Sequence, residues 1–176
     1  TPGVGGAYRD GISQADGGIV ILMSSDLETD PAAAGRLLKP LLANPGIDIV
    51  CASRWAPGGA IHRYHTGLKT LNRVFQWIAG HVILSTDMTD LTFAYRAYRS
   101  EWLNQPWRQE RHGFFLESLT LPLLSGARAI EVPVVWEPRI EGTRHIKARD
   151  YLDYFRVLGH ALTTRMRRKR PSRPQR

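Results

Sequence analysis

A chain of 176 residues with 43% apolar content is long enough to bury one substantial core and has the composition of an ordinary globular domain. Its formal net charge is +8, yet seven of the bases lie between Arg165 and Arg176, so residues 1–164 hold 17 bases against 16 acids, which excludes a uniformly basic domain. No run of eighteen apolar residues is present to form a membrane span, and the single Cys51 rules out an internal disulfide, so nothing points to an oxidising compartment.

The chain opens at Thr1 without an initiator methionine, signal peptide or opening strand, and is therefore expected to be a piece of a longer protein. Residues 7–15 can form a short helix, and Gly17-Gly18 separates it from an apolar strand over about residues 19–24. Asp30-Pro31 marks the next start: Asp30 suits an N-cap and Pro31 the first helical position, with Ala32 to Leu42 behind them. Asn44-Pro45-Gly46 ends that helix, and Ile47 to Ser53 reads as a second buried strand with Cys51 as a small core residue. Residues 19–54 thus make a strand, helix, strand unit, and such crossovers imply parallel strands. Leu68, Leu71, Val74, Phe75 and Ile78 then recur at helical spacing, with Lys69, Asn72, Arg73 and Gln76 opposite. Residues 90–98 and 129–136 read as strands, and residues 114–124 as a helix. The last regular element spans about 150–165, with an apolar stripe of Tyr151, Tyr154, Phe155, Leu158 and Leu162. Beyond it, residues 165–176 carry Pro171, Pro174 and the seven bases, the pattern of a disordered tail appended to a domain over 1–164. Such a tail favours anionic lipid by about 1 kcal/mol per basic side chain, and RNA through counterion release; composition alone does not choose.

The most informative junction is Gly18 to Pro31, an apolar run that stops at a cluster of acids. If the strand carries on through it, the pleat puts Ser24, Asp26 and Glu28 on one face, so that two carboxylates converge at a strand's carboxyl end. Such oxygens suit a hard cation, Mg²⁺ or Mn²⁺, which in turn neutralises a diphosphate. The other reading is a polar strand end running into a capped helix. Further on, Arg139 and Arg144 flank Gly142 after a strand; guanidinium groups clamp phosphate oxygens in pairs, although a solvated loop would look the same. His62 and His65 lack the further ligands of a recognised metal set, and Gly3 to Gly6 lacks the Lys-Ser/Thr of a phosphate loop. Asp90 is either a general base or a partner for Arg96, and Glu117 reads as a helix residue bonding a neighbouring loop.

Six segments in order carry a family resemblance: Gly3 to Gly11, Ser24-Ser-Asp26-Leu-Glu28, Ser53-Arg54-Trp55, Asp90-Leu-Thr92-Phe-Ala-Tyr95-Arg96, Glu131-Val-Pro133, and Arg139-x-x-Gly142-Thr143-Arg144. Together they resemble glycosyltransferase family 2, near the dolichyl-phosphate mannose synthases and their polyprenyl-phosphate relatives. The resemblance implies an α/β, GT-A-like (Rossmann-like) fold, a mostly parallel sheet flanked by helices, here without the opening strand and its base-binding segment. It implies an inverting transfer of a hexose from a nucleoside-diphosphate sugar to a lipid-linked phosphate. Asp26 and Glu28 would hold Mg²⁺ or Mn²⁺, with Asp26 catalytic through that cation. Ser24, Arg9, Arg139 and Arg144 would contact the donor diphosphate, and Arg54, Arg63 and Lys69 an anionic acceptor. Asp90 becomes the candidate base if the acceptor is a sugar hydroxyl. Two positions depart from the family pattern: Ser24 replaces the first Asp of Asp-x-Asp, and the acceptor helix is matched only by Arg63, Lys69 and Asn72. The resemblance places the protein at the cytoplasmic face of a membrane, docked on anionic lipid through its helices and basic tail, and speaks against nucleic acid. The alternative is a non-catalytic membrane- or nucleic-acid-binding module on a degenerate glycosyltransferase fold.

Overall fold

The computed structural model describes residues 2–138 and 148–169. Helix α1 (Gly3–Ser13) leads into strand β1 (Ile19–Leu22); a 3-10 turn (Pro31–Ala33) then runs into α2 (Ala34–Ala43), which is followed by β2 (Ile49–Ser53) and β3 (Ala60–Ile61). Helix α3 (Thr66–Trp77) continues as a π-helical segment, Ile78–Leu84, before β4 (Arg96–Arg99), α4 (Gly113–Ser125), β5 (Ala129–Pro133), β6 (Val135–Trp136) and α5 (Ala148–Lys169). Asp30 caps as its position predicts: its Oδ1 accepts from the Ala32 amide at 2.9 Å, with Pro31 at the first helical position.

The main sheet runs β1-β4-β2-β5. Strands β1, β2 and β5 share one direction, and β4 alone is reversed, antiparallel to both of its neighbours. The first crossover therefore does join two strands of the same sense, but they do not pair, because β4 lies between them with Ala97 opposite both Ile21 and Val50. All five residues of β2 are buried, which makes it the centre of the core. One layer packs Leu37 and Leu41 of α2 on Val50, Ala52 and Ala97; the other packs Phe114, Leu116 and Leu119 of α4 on Ile49, Cys51 and Tyr98. Burial pushes the Cys51 thiol up to about 12, so it stays a protonated apolar filler at neutral pH. A small second sheet pairs β3 with β6 in parallel, Ile61 opposite Trp136.

Three expectations need correction. The strand expected over 90–98 shrinks to Arg96–Arg99, because the preceding amides are already committed: Glu131 accepts from the Thr89 and Asp90 N–H groups and Gln76 from that of Leu91. Helix α3 is amphipathic as read, but most of its apolar stripe is exposed. Val74 and Trp77 face outward, Leu68 and Leu71 are about half-exposed or more, Phe75 packs on the core, and the fully buried member is Gln76, whose side chain holds Leu91 and Thr92 at 2.8 and 2.7 Å. Finally, α5 extends to Lys169, so the first residues assigned to a disordered tail are helical. Arg165 donates to the Ile83 carbonyl and to Ser85 Oγ, tying α5 to the end of the π-helical segment. Helix α5 packs on α4 through Val157 and Leu158, with Asp153 bridging Arg111 and Arg156, while Phe155 and Leu162 of the apolar stripe stay largely exposed. Arg139, Arg144 and residues 170–176 lie outside the described residues.

Candidate active site

A cavity of about 310 Å³ opens at the carboxyl ends of β1 and β2, where an open α/β sheet characteristically binds ligands. Its wall combines polar side chains, Ser24, Asp26, Glu28, Arg54, Asn72 and Thr92, with apolar and aromatic ones, Val4, Leu68, Phe75, Phe115, Tyr154 and Phe155. Helix α1 reaches this wall because Gly5 lets it lie directly on α4. A Cβ at Gly5 would stand 2.7 Å from that of Phe114.

The two acids do share one cavity, but the pleat is not what brings them together. Strand β1 stops at Leu22, residues 25–28 form a bend, and Leu27 takes a left-handed φ of +57°. Asp26 Oδ1 accepts from the Glu28 amide at 3.3 Å, the side-chain-to-backbone contact by which aspartate stabilises turns. Glu28 is 7% exposed, and its Oε2 accepts from the Trp136 indole N–H at 2.9 Å. Among the described residues no three His, Cys, Asp or Glu side chains gather as a complete metal cage. Two carboxylates beside a serine hydroxyl nevertheless fit Mg²⁺ or Mn²⁺, since a hard cation of this size uses one or two carboxylates and takes further oxygens from substrate phosphates.

Arg54 follows β2 and is gripped by Asp90, with Nε and Nη2 donating to its two oxygens at 2.7 and 2.8 Å. Burial alone would weaken the Arg54 charge, but the Asp90 carboxylate outweighs it and holds the guanidinium above its ordinary range. The guanidinium also lies over the Phe93 ring, 4.5 Å from its centroid. Asp90 is completely buried, and its partner is Arg54 rather than Arg96. Walled off from solvent, the Asp90 carboxylate holds the Arg54 guanidinium in place at the cavity wall. Arg96 is buried elsewhere, donating to the Leu91 and Phe115 carbonyls at 2.6 Å and to Ser118 Oγ at 2.9 Å. Glu117 accepts from the Arg108 and Gln109 amides, the loop-holding part read for it.

Arg9 points away from the cavity, to the Trp107 carbonyl at 3.2 Å and Glu110 at 3.9 Å. Its neighbour Tyr8 lines the cavity instead, as adjacent helical residues point about 100° apart. Burial, and then the Asp26 charge, push the Tyr8 hydroxyl up to about 12, so it remains a donor at neutral pH. Arg63 is exposed with φ +49°, and Lys69 lies over Trp55 at 6.0 Å beside Arg73; neither lines the cavity, whereas Asn72 does. Tyr8, Tyr64, Phe115 and Trp136 escaped the sequence reading. Only the aromatic density around them signalled a lined site.

This topology, with acids after β1 and an arginine after β2 at one end of the sheet, is that of a GT-A-like α/β fold. The chain belongs to glycosyl transferase family 2, which matches residues 1–106. It is 27% identical over 147 residues to an undecaprenyl-phosphate mannosyltransferase from Micrococcus luteus, a match covering 78% of this chain and 58% of that protein. Among solved structures, glucosyl-3-phosphoglycerate synthase from Mycobacterium tuberculosis, in complex with Mn²⁺, UDP-glucose and phosphoglyceric acid, shares the fold with a TM-score of 0.61 at 21% identity. That likeness covers 93% of this chain and 55% of the synthase chain; a second structure of the synthase gives 0.63 at 20%, covering 93% and 56%. The chain therefore spans little more than half the length of these relatives.

Proposed function

We propose that the protein transfers a hexose from a nucleoside-diphosphate sugar to a polyprenyl phosphate or a closely related lipid-linked phosphate, with inversion at the anomeric carbon. One observation carries this reading: a single cavity is lined both by two acids and an arginine and by many apolar and aromatic side chains, which suits a charged donor meeting an acceptor that is part phosphate, part hydrocarbon. The likeness to the M. luteus undecaprenyl-phosphate mannosyltransferase supports the lipid phosphate, and the Mn²⁺ and UDP-glucose in the M. tuberculosis complex support a metal and a nucleotide sugar.

Asp26 and Glu28 would hold a Mg²⁺ or Mn²⁺ ion, which supplies positive charge against the departing diphosphate. Ser24 and Tyr8 offer hydroxyls to the donor, and Arg139 and Arg144 are assigned to its diphosphate by their place in the family motif. An acceptor phosphate oxygen forms the new bond to the anomeric carbon as the bond to the diphosphate breaks. That oxygen is already ionised at neutral pH, so no general base is required, in keeping with the burial of Asp90. Arg54, held in place by Asp90, would present its guanidinium to the acceptor phosphate, and Leu68, Phe75 and Phe155 would receive the first part of the hydrocarbon. The test is transfer from radiolabelled UDP- and GDP-hexoses to undecaprenyl phosphate. Chelation should abolish transfer and Mn²⁺ should restore it; transfer indifferent to EDTA would remove the metal, and none to any lipid phosphate would remove the acceptor.

Docking at the cytoplasmic face of the membrane follows from the same reading. No helix among the described residues is long and apolar enough to cross a membrane. Helices α3 and α5 instead turn Leu71, Trp77, Leu152, Phe155 and Met166 outward, each at least half exposed, next to the basic end of α5. Apolar side chains flanked by arginines favour an anionic interface. Deleting residues 165–176 should weaken partitioning onto phosphatidylglycerol vesicles at least tenfold at low salt, measured by co-sedimentation; unchanged partitioning would remove the tail from docking.

A further inference from the structure

The Glu28 carboxylate, part of the cavity wall, is held from behind by a side chain outside that wall. Its Oε2 accepts from the Trp136 indole N–H at 2.9 Å, across 108 residues of sequence. The backbone repeats the link: Thr29 forms an isolated antiparallel bridge with Trp136, and the Glu137 amide donates to the Glu28 carbonyl at 2.9 Å. Trp136 is 6% exposed and has little freedom to turn, because β6 pairs its backbone with Ile61 and the Tyr64 ring meets it edge-on at 5.8 Å. Tyr64 itself lines the cavity. Next to it, His62 Nδ1 and Glu137 Oε1 lie 2.5 Å apart, closing the same pair of segments.

We infer that Trp136 is a positioning residue of the donor site, its indole N–H fixing the Glu28 carboxylate in the orientation that receives the cation. The inference rests on the proposed metal role of Glu28. Indole is a donor only, so the bond engages one carboxylate oxygen, and the buried ring limits the orientations open to the group. Partners of this kind orient metal-binding groups, and removing them weakens metal affinity by about 10–100-fold. The buried ring also spans the acidic bend and the segment carrying Tyr64, so one residue sets the spacing of two parts of the cavity wall.

Trp136→Phe keeps the ring, its burial and its contact with Tyr64 while deleting the N–H. Mn²⁺ binding, followed by the loss of free-ion electron paramagnetic resonance signal with inorganic pyrophosphate present, should weaken at least tenfold in the intact protein. Saturating Mn²⁺ should then return the maximal transfer rate toward that of the parent. Wild-type Mn²⁺ affinity in Trp136→Phe, alongside lost affinity in Glu28→Gln, would overturn the inference while leaving the metal site standing. Wild-type affinity in Glu28→Gln would instead overturn the reading on which it rests. The unsubstituted protein provides a second measurement that does not depend on how the variant folds. Of its five indole N–H resonances, that of Trp136 should broaden away on adding Mn²⁺ and pyrophosphate; persistence at full intensity would also overturn the assignment.

Discussion

Asp26→Asn in the intact protein should lower sugar transfer by about 10²–10³-fold, the range seen when one preorganised charge-stabilising group is lost. The substitution is nearly isosteric, and asparagine retains an oxygen able to accept from the Glu28 amide, so the bend at residues 25–28 should survive. What disappears is the negative charge that, with Glu28, makes this end of the sheet attractive to a divalent cation. Binding to lipid vesicles and thermal stability should stay at parent values, and these measurements separate lost chemistry from lost structure. Full activity in Asp26→Asn would sink the metal-centred mechanism.

The largest effect on stability is expected at Asp90→Asn, which should cost about 3–5 kcal/mol in urea denaturation at neutral pH, the usual penalty for stranding one member of a buried ion pair. Both Asp90 oxygens accept from Arg54, and an amide turned toward that guanidinium would set donors against donors. Replacing both partners with apolar residues, Arg54→Met with Asp90→Leu, should recover most of the loss, since no uncompensated charge then remains. A loss under about 1 kcal/mol in the single variant would mean that water reaches the pair and that it behaves as a surface contact.

Much of the scaffold can be read from the chain because its signals are local. Asp30 and Pro31 announce a helix start through one side-chain bond and one fixed dihedral, and both hold. The buried β2 reads as an unbroken apolar run because it has neighbours on both faces. Pairing across long separations is not local, and this is where the reading fails. Nothing in residues 19–54 says that Arg96–Arg99 will enter between their two strands. Periodicity correctly marks α3 as two-faced but does not single out its fully buried member: Gln76 is held by the Leu91 amide, a partner no window of α3 contains. The acids after β1 were legible as a pair, but the bend that joins them depends on Leu27 adopting a left-handed backbone, which sequence does not advertise in a leucine. Arg9 and Tyr8 differ by one helical step, within the error of any phase assigned from pattern alone.

The position of β4 also bears on how the molecule comes into being. Strand β2 pairs only with β4 and β5, both of which emerge later during synthesis. Its apolar run therefore leaves the ribosome with no ladder to join, and must wait through the whole of α3 before its first partner arrives. During that interval an apolar strand is left open to pairing with a neighbouring nascent chain. The reversed strand that knits the finished sheet together thus leaves the growing polypeptide dependent on prompt completion, or on a chaperone to shelter it.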